Sequence, residues 1–73
     1  MKLVTNQEIG DLIRERRTAA NMTQEQLGNK LSLTFQMIGK YEKGKSAITV
    51  TRLVQVASVL GVRAVDLLPA RVR

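Results

Sequence analysis

The 73-residue chain contains no cysteine and no histidine. Without cysteine there can be no disulfide and no thiolate metal site. Without histidine the chain lacks the usual general base, the usual zinc ligand and every triad that depends on imidazole. The remaining carboxylate pair, Asp11 and Glu15, lies one turn apart among arginines, which is an ordinary solvated arrangement. We therefore expect a domain that is not an enzyme and that needs no metal and no cofactor.

Long apolar segments are also missing. No apolar run approaches the ~20 residues that span a bilayer. The start of the chain, residues 1–5, lacks the apolar stretch of a secretory signal. These features predict a cytoplasmic protein without a membrane partner. The short length predicts one domain over residues 1–73, near the lower size limit for folding without a disulfide or a bound metal.

Acidic residues are scarce, since six Asp and Glu face twelve Lys and Arg, for a net charge of +6. The charges cancel over residues 6–20, so the excess lies farther along, at Lys30, Lys40, Lys43, Lys45, Arg52, Arg63, Arg71 and Arg73. Scattered surface lysines often serve only solubility. Three lysines close to one predicted helix instead favour binding to phosphates.

The most informative segment is residues 23–44, TQEQLGNKLSLTFQMIGKYEKG. Thr23 and Gln26 form a capping box that begins one helix, and Thr34 caps a second. Ile38 and Tyr41 share the inner face of the second helix. Its outer face carries Phe35, Gln36, Gly39, Lys40 and Lys43. An outer face of amide, aromatic, glycine and lysine suits contact with the base edges and phosphates of double-stranded DNA.

This segment resembles the helix-turn-helix of the lambda-repressor-like family, also called the Cro/repressor or XRE family. The family pattern is matched by TQEQL at 23–27 and IGKYEKG at 38–44, and farther on by Leu53, Ala57, residues 60–62 and the Leu67-Leu68 pair. The similarity covers roughly residues 8–69.

Two positions depart from the family pattern. The residue after the first motif helix is usually glycine and here is Ser32, where a positive φ would be mildly strained. The small residue at the helix crossing is usually alanine and here is Gly28, which costs ~1 kcal/mol of helix propensity.

The resemblance implies a compact all-α fold of five helices. Capping and spacing signals place them at about 5–20 with a left-handed stop at Asn21, 24–31, 35–43 closed by Gly44, 49–60 ended by Gly61, and a short fifth helix at 64–68 before Pro69. Residues 70–73 are expected to form a frayed basic tail.

Roles for individual residues follow from the same resemblance. Gln24 bonds a DNA phosphate through its side chain and backbone, unless it is an ordinary exposed first-turn residue. Phe35 and Gln36 contact bases, through a thymine methyl group and an adenine edge respectively. For Phe35 the alternative is packing inward, onto helix 2 or onto a dimer partner. Lys40 reaches a guanine edge or a phosphate.

Lys43 and Lys45, at and beyond the end of the second motif helix, are expected to contact phosphates only and so to position without specifying. Gly39 weakens that helix, which close approach of the backbone to DNA would explain; neutral drift is the alternative. The complete predicted interface is Arg17, Thr23, Gln24, Thr34, Phe35, Gln36, Gly39, Lys40, Lys43 and Lys45.

Glu42 has an expected structural partner. In the family this carboxylate pairs with an arginine that aligns with Arg17, which would pin helix 3 to helix 1 and hold Arg17 near a phosphate. The alternative is a solvated pair with Lys45 or a loose surface charge.

These patterns predict a sequence-specific transcriptional regulator that acts as a repressor. It would bind a palindromic operator as a homodimer, with half-sites about 10 bp apart. The apolar surplus at Val62, Val65, Leu67 and Leu68 predicts the dimer surface, with an ordinary small core as the alternative. The other functional class is an antitoxin or protein-interaction module whose main partner is a protein. The chain could also be a domain cut from a longer regulator.

Overall fold

The computed structural model describes residues 3–73, and all of its regular secondary structure is helical. Its elements are α1 (Asn6–Ala19), α2 (Gln24–Leu31), α3 (Phe35–Glu42) and α4 (Val50–Leu60), followed by two short 3₁₀ helices, Ala64–Leu67 and Ala70–Val72. The described part of the chain contains no strand and no helix long and apolar enough to cross a membrane. The predicted all-α class is confirmed, with four α-helices rather than five.

A threonine hydroxyl begins each of the four α-helices. The side-chain oxygen accepts a hydrogen bond from the backbone N–H three residues later, over 3.0–3.2 Å, at Thr5, Thr23, Thr34 and Thr49. Each bond satisfies one N–H that the first helical turn leaves without an intrahelical partner. The boundaries predicted from these caps are therefore confirmed, including the capping boxes at Thr5 and Thr23.

Left-handed residues end the helices where the sequence predicted. Asn21 follows α1 with φ of 55°, and Ser32 follows α2 with φ of 57°. Gly61 ends α4 with φ of 71°, and Gly44 has φ of 69° just beyond the end of α3. The turn between α2 and α3 is thus short and fixed, which sets the angle at which α3 leaves α2.

Close backbone approaches at two glycines hold α3 in place. A Cβ on Gly28 of α2 would lie 2.6 Å from the carbonyl oxygen of Leu33, as its predicted crossing role requires. A Cβ on Gly10 of α1 would lie 2.7 Å from the carbonyl oxygen of Glu42. The α1–α3 crossing at Gly10 was not predicted from the sequence.

The core is formed by buried side chains of all four α-helices and of the first 3₁₀ helix. Ile13, Leu27, Ile38 and Leu67 are almost completely buried. The prediction that Leu67 lies on a dimer surface is wrong, because this residue of the 3₁₀ helix is completely buried in the core. Val62 and Leu68, from the same predicted surface, are half-buried and pack against the core, and Val65 is half-buried.

The C-terminal residues are also more ordered than predicted. The Arg71 guanidinium bonds the Glu8 carboxylate, at 2.5 Å from Nη1 to Oε2, and donates to the carbonyl of Leu3. Arg73 Nε donates to the carbonyl of Leu68 over 2.9 Å. The expectation of a frayed tail is therefore wrong, since two arginine side chains tie residues 70–73 back to the domain. The hydrogen bond from Arg71 is the main reason that the pKa of Glu8 is lowered to about 2.

Candidate nucleic-acid interface

The outer face of α3 and the start of α2 enclose a shallow depression of about 280 Å³. Seven of the ten predicted interface residues line it: Gln24, Phe35, Gln36, Gly39, Lys40, Lys43 and Lys45. Its charged side chains are all lysines. The depression therefore offers amides, an aromatic ring and positive charge on one surface.

The orientation of α3 explains why these side chains lie on the protein surface. Ile38 and Tyr41 face the core, so the other side of the helix faces outward. Phe35 in the first turn is 49% exposed, so the alternative in which this side chain packs inward onto α2 is not observed. Gln36 is exposed beside it. A hydrophobic ring in contact with water at the start of a polar helix face is suited to covering an apolar group of a ligand.

Arg17 and Glu42 form the predicted ion pair between α1 and α3. Arg17 Nε lies 2.6 Å from Glu42 Oε2, and Nη2 lies 3.1 Å from Oε1. Arg17 Nη1 also donates to the carbonyl of Met22 over 2.7 Å. The side chains are only 11% and 3% exposed, so the pair is buried, whereas the solvated pair with Lys45 is not observed. These three contacts use three of the five N–H groups of the guanidinium.

Gln24 is the third member of this cluster. Its Nε2 donates to Glu42 Oε1 over 3.1 Å. The side chain also lines a second depression of about 210 Å³, which adjoins the first and is lined by Arg14, Arg17, Gln24, Glu42 and Lys43. Gln24 and Lys43 are common to both depressions.

Arg14 is a basic residue of this surface that the sequence interpretation missed. It is exposed and lines the second depression with Arg17 and Lys43. The signal in the sequence was its spacing, because residues three apart lie on the same face of a helix. With Arg14 the positive surface extends from α3 across to α1.

Gly39 and the two capping threonines have local structural partners. A Cβ on Gly39 would lie 3.7 Å from the amide atoms of Gln24. Thr23 and Thr34 hold the first turns of α2 and α3 with their hydroxyls. Both are exposed, but neither lines the two depressions. Across residues 3–73 no group of three acidic, cysteine or histidine side chains is close enough to hold a metal ion.

A family model described as helix-turn-helix matches residues 13–67. An uncharacterized HTH-type transcriptional regulator of Sinorhizobium medicae (strain WSM419) is 46% identical over 54 residues, which are 74% of this chain and 39% of the relative. An uncharacterized transcriptional regulator in the ATPase CF(0) region of Rhodospirillum rubrum is 41% identical over 54 residues, which are 74% of this chain and 50% of the relative. The chain therefore spans between about two fifths and one half of these relatives.

Two solved structures share the fold. The restriction-modification controller protein C.AhdI from Aeromonas hydrophila has a TM-score of 0.80 and 26% identity, covering 85% of this chain and 94% of the controller. Hydroxypropylphosphonic acid epoxidase from S. wedmorenis has a TM-score of 0.85 and 26% identity, covering 93% of this chain but only 36% of the enzyme. The same fold thus makes up almost all of one protein and about a third of another.

Proposed function

The chain belongs to the helix-turn-helix family, and from this premise we propose that it is a sequence-specific DNA-binding transcriptional regulator whose α3 enters the major groove. The observation that carries the proposal is the depression on α3, where three lysines surround Phe35 and Gln36. Relatives named as transcriptional regulators support it. The match to an epoxidase covers only a third of that enzyme and supports no catalytic role.

The interface residues divide into two groups in this proposal. Gln36 and Phe35, in the first turn of α3, contact base edges and supply specificity. Lys43 and Lys45, with Arg17 and the exposed Arg14, contact phosphates and supply affinity that does not depend on sequence. Lys40, one turn beyond Gln36, serves either group. The N–H groups at the start of α2 favour a phosphate there.

We also propose that residues 1–73 act as one domain in the cytoplasm, and that the protein is a repressor that binds a palindromic operator as a homodimer. Two-fold symmetry places the two recognition helices in successive major grooves about 10 bp apart. Because Leu67 is in the core, the proposed dimer surface keeps only the half-buried Val62, Val65 and Leu68.

A protein-interaction module, such as an antitoxin, is the second candidate. A groove of about 500 Å³ between α2 and α4 supports it, since Val54 and Val59 there lie beside Lys30 and Arg52. Val54 is 51% exposed. A module of this kind would bind a protein tightly and shift DNA without preference for any operator.

Selection of bound sequences from random duplexes tests the proposal. Recovery of a palindrome supports both specificity and dimerisation. The affinity for the selected duplex should fall steeply with salt. The slope of log affinity against log salt should be about −5 if Arg17, Lys43 and Lys45 of a dimer neutralise about six phosphates, and about −7 if Arg14 adds two more. A slope shallower than about −2 on every duplex would contradict DNA binding.

A further inference from the structure

The amide of Gln24 has a fixed orientation in this structure. The Glu42 carboxylate, already paired with Arg17, accepts hydrogen bonds and has none to donate. The Gln24 atom 3.1 Å from Glu42 Oε1 must therefore be the NH₂ nitrogen, as it is here. An exchange of the amide oxygen and nitrogen would place two acceptors together. The chemistry of the pair thus determines which end of the amide faces Glu42.

This orientation leaves a defined pair of groups for a ligand. The carboxylate takes one of the two N–H bonds of Nε2, so one N–H and the carbonyl oxygen Oε1 remain. Gln24 lines the same depression as Phe35 and Gln36. A donor and an acceptor side by side on one amide are what the major-groove edge of adenine binds, through N7 and the N6 amino group.

We propose that the Gln24 side chain contacts an adenine of the operator, as a second specificity-determining residue besides Gln36, and that Glu42 is the positioning residue that fixes its orientation. The inference rests on the proposed DNA-binding function. It assigns the side chain of Gln24 to a base and leaves only the backbone N–H groups at the start of α2 to a phosphate.

Gly39 provides the space that this arrangement needs. A Cβ at position 39 would already be in van der Waals contact, at 3.7 Å, with both Nε2 and Oε1 of Gln24. A longer side chain would occupy the volume of the amide. A small residue at position 39 therefore leaves room for the Gln24 amide, and alanine would fit there as well as glycine.

Gln24→Met tests the inference, because methionine keeps the length of the side chain and removes both hydrogen-bonding groups. Sequence selection with this variant should lose the preference for adenine at one base pair of each half-site, by roughly 5- to 150-fold. The slope of log affinity against log salt should not change. Gln36→Met is the matched control and should lose preference at a different base pair.

Glu42→Gln tests the positioning role, because a glutamine at 42 can present either its oxygen or its nitrogen to Gln24. We expect preference to relax at the same base pair as in Gln24→Met and to persist at the pair lost in Gln36→Met. Retained preference in a folded Glu42→Gln would overturn the positioning role. If Glu42→Gln does not fold, as a thermal melt would show, Gln24→Met alone decides whether the side chain contacts a base.

The possible failures are distinguishable. If Gln24→Met weakens binding to every duplex equally, Gln24 is a phosphate contact, and the inference fails while the proposed function stands. If the unaltered protein selects no sequence at all, the proposed function itself fails. The result that supports the inference is loss of the preference for adenine at one base pair of each half-site, with an unchanged salt slope.

Discussion

Arg17 holds both carboxylate oxygens of Glu42, at 2.6 Å from Nε and 3.1 Å from Nη2, and so joins the end of α1 to the end of α3. The same guanidinium bonds the carbonyl of Met22, just before α2. One side chain therefore connects the three helices that shape the proposed interface. Because the pair is mostly buried, neither charge is compensated by water if its partner is removed.

Glu42→Ala should destabilise the fold by about 3 kcal/mol. Breaking a buried pair costs about 3–5 kcal/mol, and the 11% exposure of the Arg17 side chain favours the lower end. Arg17→Ala should also destabilise and should weaken DNA binding at least as much as Glu42→Ala, since it deletes a positive charge. Chemical denaturation followed by circular dichroism measures the first effect, and titration with operator measures the second.

The double variant of Arg17 and Glu42 provides the control. Its losses of stability and of DNA affinity should each be smaller than the sum of the two single losses, because the residues are directly coupled. Strict additivity in DNA affinity would mean that the pair does not transmit its geometry to the interface.

Three glycines should respond to alanine in opposite directions. Gly39→Ala should stabilise the fold by up to ~1 kcal/mol, because alanine favours the helix and its Cβ meets the Gln24 amide at an ordinary 3.7 Å. Gly10→Ala and Gly28→Ala should destabilise it, because each Cβ would overlap a backbone carbonyl oxygen and force the backbone to shift. The oxygen belongs to Glu42 in α3 for Gly10 and to Leu33 in the turn before α3 for Gly28. Thermal melts of the three variants check this order, and a stabilising Gly10→Ala would contradict the close α1–α3 crossing.

Local signals predicted most of the fold because each acts within a few residues. The threonine caps, Asn21 and Ser32 marked helix ends through hydrogen bonds and φ angles that depend only on neighbouring residues. The pattern could not predict that Gly10 touches α3 or that Leu67 fills the core, because both depend on how distant segments pack. It also missed the pairing of Glu8 with Arg71, which are 63 positions apart.

The same distinction applies to the interface. Helical spacing predicted which side chains lie on the outer face of α3, and the family resemblance implied the pairing of Arg17 with Glu42. The hydrogen bond from Gln24 to Glu42 depends on the packing of α2 against α3, so no spacing within either helix indicated it. Arg14 differs in this respect, because its spacing of three residues from Arg17 places it on the same face of α1.

The Glu8–Arg71 pair should make stability depend on pH in the acid range. The pKa of Glu8 is about 2 in the folded protein against an ordinary 4.5, chiefly because Arg71 donates hydrogen bonds to its charged form. A lowered pKa stabilises the fold at pH values above 4.5, and this stabilisation is lost as pH falls from 4.5 to 2. Glu8→Gln should therefore be less stable than the unaltered protein at pH 7, and the difference should shrink over this interval.

Denaturation curves at pH 7, 4, 3 and 2 measure that difference. Glutamine can still complete the capping box with Thr5, so the comparison isolates the charge of Glu8. Arg71→Gln is the matched variant and should lose the same pH-dependent part. A Glu8→Gln difference that stays constant down to pH 2 would show that the pair does not stabilise the fold.

Replacing Gln36 by alanine should differ in kind from replacing Lys43 by alanine. Gln36→Ala removes a base contact, so it should cost ~1–3 kcal/mol on the selected operator and little on random DNA. Lys43→Ala removes a phosphate contact, so it should weaken binding to all duplexes alike and make the salt slope shallower by about one unit per monomer. Binding titrations on operator and random duplexes at several salt concentrations separate the two effects.

Lys30→Ala is the control for this comparison, because Lys30 is also an exposed lysine but lies in the groove between α2 and α4. Its removal lowers the net charge by the same amount as Lys43→Ala. If only the overall charge matters, the two lysine variants should change the salt slope equally. If α3 faces the duplex as proposed, Lys30→Ala should leave the salt slope nearly unchanged. A separate outcome would contradict the role of Gln36: equal loss of specificity in Gln36→Ala and Lys43→Ala would show that Gln36 does not contact bases.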